Sequence, residues 1–499
     1  MSMLSPEELE KLASAESLFP SPIPVQSVSS DEFMPAPQTA KQREFEARVK
    51  EAGTRMAKRL GISRRRFFQG AAGMASAFLA MNDTYGPIFG VSRAEAASPE
   101  QADARAKKLS GQFIMDMHTH FLRPGTRITA FVAQRSAVGK AGWNPDLKQK
   151  EQTIEDLMFA NYIKEMYLDS DTKIACISGA PSEIPEDWFL TNDMKAQARA
   201  SVNAIAGTRR MFSHAIFTPG YDGWMDEVDR AIEVLKPDSM KGYTIGDNTH
   251  KNLSKHPWRL DDEKLVYPAY AKFLKAGLRN VCVHKGLFPP SVEKQFPHLL
   301  AHSDVRDVGP AARDWPQLNF IVYHGGYRWP GGGSAIDGWR QFEQTGRVDW
   351  VSDLAEVPAK FGVKNVYADV GQLFAQSTIA EPRLAAVMMG ILIKGLGADH
   401  VCWGTDAIWT GAPQWQIEAL RRLEIPEDLQ SKHGFQPLGP ADGPVKNAIF
   451  GENNARLYGV KPQLRADIAN DKLVQYKELY ARNGAGRTNL AYGYARTAV

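Results

Sequence analysis

The stretch FIMDMHTHF (113–121) places two histidines two residues apart at the end of an apolar run. Side chains alternate faces along a strand, so His118 and His120 would point to one side while Thr119 points away. Two imidazoles converging on one point suit a metal ion, and by themselves they suit equally well a pair of partly exposed histidines at a strand end. The choice depends on whether residues of the same chemistry recur at matching positions. His284 closes NVCVH (280–284), His324 closes NFIVYH (319–324) and Asp406 closes HVCWGTD (400–406). Several neutral imidazoles and a carboxylate around a cavity form the donor set of a divalent transition metal, zinc first, with a position left open for water or substrate.

Something must bring these distant residues together. From about residue 110 the chain alternates short apolar, β-branched runs with longer segments of helical periodicity, such as DGWMDEVDRAIEVL and DEKLVYPAYAKFLKAG. This alternation predicts βα units and a parallel sheet. The runs are 112–118, 173–179, 211–217, 239–245, 280–284, 319–324, 365–370 and 400–406, eight strands in all. They predict a (β/α)8 TIM-type barrel, whose active site lies at the C-terminal ends of its strands. His118, His284, His324 and Asp406 then close the first, fifth, sixth and eighth strands and share one mouth.

The combination of HTH after the first strand, His ending the fifth, YHGG after the sixth and GTD after the eighth resembles the amidohydrolase superfamily. The likeness is to the branch typified by aminocarboxymuconate semialdehyde decarboxylase and related amidohydrolase-2 proteins. NAIFGENNARLYGV (447–460) resembles the Asn-Ala-x-Arg-Leu-Tyr/Phe-Gly helix with which that branch closes its barrel. The resemblance covers roughly residues 112–460 and implies that His118, His120, His284 and Asp406 bind one metal ion. It implies that His324 is a catalytic histidine, and that Asp406 also touches the metal's water. A metal-dependent hydrolase of a small carbonyl, lactone or amide is the first expectation. The alternative is nonoxidative decarboxylation of an aromatic or unsaturated acid, and a further one is a noncatalytic binding barrel. Other members of the superfamily bridge two metals with a carboxylated lysine from the fourth strand; Lys241 is on that strand but near its start, so a mononuclear centre is expected.

For substrate contacts the sequence offers Tyr327, Arg328 and Trp329 in the loop after His324, Trp409 after Asp406, and Arg123 and Arg127 after His120. An arginine among aromatics at the mouth would suit a carboxylate, although these residues would serve as well to pack long loops. The other histidines fall on loops, helices or strand starts, with His214 on the third strand able to line the barrel. No glycine-rich turn has the strand-to-helix setting of a nucleotide site.

The 499 residues carry a formal net charge of +3, which leaves no electrostatic footprint for nucleic acid and points to a small-molecule partner. Cys176, Cys282 and Cys402 lie in apolar runs and are expected as buried thiols. Residues 1–62 are polar, and up to about residue 55 too poor in large apolar residues for a core of their own, so they read as a disordered or loosely helical leader. Residues 63–96 have the order of an export signal: basic residues, an apolar stretch from Phe67 to Met81 too short and glycine-rich to span a membrane, and Ala94-Glu95-Ala96. Ser63-Arg64-Arg65-Arg66-Phe67-Phe68 resembles a twin-arginine signal, which implies the twin-arginine export machinery as a partner and a periplasmic protein. The long leader before it raises Met56 as an alternative start. After the barrel (110–460), residues 465–482 read as one amphipathic helix and the rest of 461–499 as an extended tail. That tail would pack on its own barrel or on a second subunit of a homodimer.

Overall fold

The computed structural model describes residues 21–25, 37–126, 133, 136, 140, 154–329 and 332–483. Eight parallel strands follow one another in sequence order around a nearly closed barrel. They are β1 (Met115–Thr119), β2 (Ile174–Ile177), β3 (Met211–Ile216), β4 (Ser239–Tyr243), β5 (Asn280–His284), β6 (Asn319–Tyr323), β7 (Val366–Asp369) and β8 (Val401–Cys402). The seam between β8 and β1 is drawn together past the short eighth strand. The N–H of Met117 donates to the carbonyl of Trp403 (3.1 Å), that of Asp406 to His118 (2.8 Å) and that of His120 to Ala407 (2.6 Å).

Strand alternation sorts the side chains. Met115, Met117, Ile174, Cys176, Phe212, Cys282, Ile321, Tyr323 and Cys402 fill the barrel interior, and all three cysteines are buried thiols. The opposite faces of the strands, with residues such as Met240, Val281, Val283, Phe320 and Val322, pack beneath the surrounding helices. His214, on β3, lies within hydrogen-bonding distance of Tyr323 Oη (2.8 Å), Ser239 Oγ (2.6 Å) and the Met117 carbonyl (3.1 Å). It is a filled part of the barrel interior.

The leader departs from expectation. Residues 40–60 form a 21-residue helix, α1 (Ala40–Leu60), opened by a reciprocal Thr39–Gln42 capping box. Its few apolar residues, Phe45 and Val49 among them, are buried in the same cluster as the barrel's outer layer. A segment too poor in apolar residues to build its own core is ordered here by a neighbour. The segment resembling an export signal is folded as well, into α2 (Arg64–Gln69), α3 (Ala71–Tyr85) and α4 (Arg93–Ala97), followed by α5 (Pro99–Leu109). A Cβ on Gly53 of α1 would stand 2.2 Å from the Phe68 ring, so glycine is needed for that approach. No described helix is long and apolar enough to cross a membrane.

These five helices form a collar clasped to the barrel by ion pairs. Arg422, on α7 (Gln414–Arg422) beyond β8, pairs with Glu95 (2.6 Å), and Arg105 of α5 pairs with Glu418 (2.8 Å). At the other end, the helix expected over 465–482 is broken. Asp471 starts α8 (Lys472–Arg482) as its N-cap and binds the Arg210 guanidinium at 2.6 and 2.8 Å. Beyond residue 483 the tail lies outside the described residues, as does Arg127.

Candidate metal centre

The mouth of the barrel is built by strand ends. In β1, Thr119 faces away from the histidines, its hydroxyl donating to the Cys176 carbonyl (2.8 Å) and lying 2.8 Å from Tyr162 Oη. This locks β1 to β2 and turns His118 and His120 to the same side. Below them Asp116 accepts from the N–H of His118 and Thr405 (3.1 Å each) and from the Thr405 hydroxyl. Its burial pushes the carboxyl up to about 7.

His118 Nε2 lies 3.1 Å from His120 Nε2 and 3.1 Å from Asp406 Oδ1, and His120 Nε2 lies 3.3 Å from that same oxygen. Asp369, the last residue of β7, explains the orientation. Its Oδ1 lies 3.0 Å from His118 Nδ1 and also accepts from the N–H of His324 and Gly371. A carboxylate accepts only, so Nδ1 of His118 carries a hydrogen toward it, and in the neutral ring the lone pair sits at Nε2. Two imidazole nitrogens and a carboxylate oxygen then lie close to one point, an arrangement that a shared proton would bridge in the metal-free protein and a divalent ion would bridge in a loaded one. The donor set therefore fits the metal that the sequence leads one to expect.

The electrostatics agree. Burial opposes charge on His118, but Asp406 and Asp369 outweigh it and raise its pKa. Burial likewise works against ionised Asp406, yet His118 and His120 hold it well below the usual carboxylate range. His120 is lowered to about 4, chiefly by burial. A second group of convergent donors is His118, His324 and Asp369. Because Asp369 already engages His118 through Nδ1, this second group is better understood as the support of the first. His284, expected as a fourth ligand, falls in neither group; its ring stacks on Tyr243 (5.1 Å) and stands edge-on to His324 (4.7 Å).

His324 and Asp406 both sit on left-handed backbone, with φ of 61° and 56°. Strain of this kind in non-glycine residues is concentrated at functional sites. Both ring nitrogens of His324, and Nδ1 of His120, are buried without a hydrogen-bond partner among the described residues. Burial, reinforced by neighbouring His284, drives the His324 pKa well down and keeps the ring neutral.

Trp409 joins the site: its ring stacks on His120 (5.5 Å) and its Nε1 donates to Asp406 Oδ1 (3.2 Å). The expectation of substrate contact at Arg328 and Trp329 meets a different placement. Arg328 is held by Glu293 and Asp349, and Trp329 belongs to the core beside Gly338. Arg123 clasps the carbonyls of Pro185, Glu186 and Trp188. Tyr327 is fully buried. Lys241 extends inside the barrel with Nζ 3.2 Å over the Tyr323 ring. Sequence reasoning missed Asp369, although it closes an apolar run in the same way as the residues that were found. Gly404 and Gly371 make room for it: a Cβ on Gly404 would come 1.8 Å from Asp369 Oδ2, and one on Gly371 2.9 Å from Oδ1.

A barrel with candidate metal donors at its strand ends and a buried neutral histidine beside them defines a class of barrel enzymes. The chain belongs to the amidohydrolase family, whose model matches residues 115–460. No curated protein matches it. Among solved structures it is similar to an uncharacterised TIM-barrel protein from Bordetella bronchiseptica, with 15% identity, 72% of this chain and 99% of that one covered, and a TM-score of 0.43. It is also similar to 5-carboxyvanillate decarboxylase from Novosphingobium aromaticivorans with bound manganese (14%, 70% and 98%, TM-score 0.42). A third similar structure is described as a probable 2-pyrone-4,6-dicarboxylic acid hydrolase from Acinetobacter baumannii (13%, 69% and 99%, TM-score 0.35). Likeness at this level does not bear on the reaction.

Proposed function

We propose that this chain is a metal-dependent hydrolase of a small carbonyl, lactone or amide substrate. The observation that carries the reading is His324, a buried imidazole with both nitrogens unpartnered. Its ring centroid is 5.0 Å from that of His118, within the metal centre. Leaving such a group unsatisfied costs stability, and a reacting proton supplies the missing partner. His118, His120 and Asp406 would hold the ion, zinc in this proposal, with His284 alongside. When bound, that ion supplies Lewis acidity toward water and toward a substrate oxygen. His324, kept neutral by burial, accepts a proton from the attacking water and returns it to the leaving atom. Asp369 fixes the His118 tautomer, and Trp409 fixes the face of His120 and one oxygen of Asp406.

A specific observation favours the second reading, nonoxidative decarboxylation. Trp409 stacks on His120, and Phe189 stands edge-on to it (5.9 Å, 88°), an aromatic wall suited to a flat unsaturated acid. In that reaction His324 manages the proton that replaces the carboxyl group. Product analysis in 18O-labelled water separates the two: label in the organic product supports hydrolysis, whereas release of carbon dioxide with no label in the organic product identifies the lyase. Export through the twin-arginine route is part of the same proposal, resting on residues 63–68, where Arg65 and Arg66 are exposed and Phe67 and Phe68 are buried.

A further inference from the structure

Lys195, on α6 (Asn192–Ala206), the helix that follows β2, is fully buried, and its Nζ has no hydrogen-bond partner among the described residues. Three other buried lysines have hydrogen-bond partners, and a fourth, Lys241, lies over the Tyr323 ring inside the barrel. Lys285 binds Asp307 (2.8 Å), Lys446 donates to the Arg421 carbonyl (3.0 Å) and Lys251 to that of Asn248 (2.8 Å). A buried, unpartnered ammonium is among the most costly groups a fold can hold.

Its surroundings are the wall of the site. The Lys195 stem runs beside Gly179, where a Cβ would meet Lys195 Cδ at 3.6 Å and the Leu190 carbonyl at 2.8 Å. Ser178, just before Gly179, donates its N–H to the carbonyl of Thr119, between the two metal-site histidines (2.8 Å). The Gly179 carbonyl accepts from Tyr243 Oη (3.0 Å), and the Tyr243 ring is the one stacked on His284. Phe189, next to Leu190, touches His120. The pKa of His214, inside the barrel, is lowered chiefly by burial and by Lys241, with a further contribution from Lys195.

We propose that Lys195 anchors a carboxylate of the substrate. The inference rests on the mouth of the barrel being the active site, and it holds for hydrolysis and decarboxylation alike. A single ammonium in an apolar wall matches one negative charge; a phosphate dianion calls for more donors. Burial lowers the empty amine's pKa well below the ordinary value, and an entering carboxylate reverses that shift by pairing with it.

The test uses the full-length chain, wild type and Lys195→Met, with benzoate and its neutral isostere benzamide as probes and calorimetry as the readout. Zinc content is measured on the same samples. The expected result is that wild type prefers benzoate at least tenfold, that Lys195→Met loses this preference with unchanged zinc content, and that the variant melts no lower than wild type. An unchanged preference in the variant, no benzoate preference in wild type, or a variant that melts well below wild type would each overturn the assignment. A Lys195-dependent preference in a protein that takes up no zinc would uphold the carboxylate anchor and overturn the metal-enzyme reading, so the two can fail separately.

Discussion

The mouth of the barrel and the clasp between collar and barrel use the same kinds of residue to opposite ends. In the clasp, Glu95, Arg105, Asp171, Glu418, Arg421 and Arg422 form a buried or half-buried network in which every charge meets another within the chain. At the mouth, His120, His324, Asp369 and Lys195 keep atoms that no described residue satisfies, and His324 and Asp406 sit on strained backbone. Saturated polar networks hold a fold together, whereas unsaturated ones wait for something from outside. Buried charge alone does not mark the site; unpartnered polar atoms gathered around one set of strand ends do.

The comparison can be broken most severely by removing the first three helices of the collar. A chain beginning at Arg93 strips Phe45, Phe67, Phe68 and Phe78 from a cluster shared with the barrel. Each buried phenylalanine is worth about 3–5 kcal/mol, so the truncated chain is expected to melt far lower or to aggregate. Equal melting temperatures would show that the segment is a detachable leader. At the mouth, His324→Ala is expected to lower turnover by roughly 10²–10⁴-fold with metal content and melting temperature nearly unchanged. An active variant would remove the catalytic role.

In the clasp, Glu418→Gln should leave Arg105, Arg421 and Arg422 undercompensated, at a cost of about 3–5 kcal/mol, with little effect on turnover below the melting temperature. Burial works against the ionised Glu418, but Arg422, Arg421 and Arg105 prevail and hold its pKa at about 2 against an ordinary 4.5. A depressed folded-state pKa stabilises above pH 4.5, and that contribution is lost as pH falls toward 2. Acid melts of wild type and Glu418→Gln should therefore converge across that window. The smallest change is Asp369→Asn, which should weaken metal binding by about 10–100-fold while leaving the melting temperature of the metal-free protein close to wild type. Unaltered affinity by competition with a chelator would show that Asp369 does not orient His118.

The barrel was legible because alternation and βα spacing are repeated local signals, and the convergence of His118, His120, His324 and Asp406 at its mouth was legible because each lies at or just beyond the end of such a run. Asp369 carried the same signal in NVYADV and was passed over because it has no neighbouring motif. His284 shows the limit of the approach: strand spacing brought it to the mouth but did not fix its distance from the other donors. Arg328 looked free because Glu293 and Asp349, which hold it, lie far along the chain. Lys195 sits in a helical pattern where a lysine ordinarily faces water, and only packing shows that this one does not. The collar was hidden because its composition describes a segment without a core of its own, and α1 buries its few apolar residues in a cluster shared with the barrel.

The central claim is that His118, His120 and Asp406 hold a divalent ion. Elemental analysis of the purified full-length protein and of His118→Ala tests it directly. About one zinc or other divalent transition metal per chain, lost in the variant, is the predicted result; a wild-type protein that takes up no metal even after incubation with zinc would contradict it.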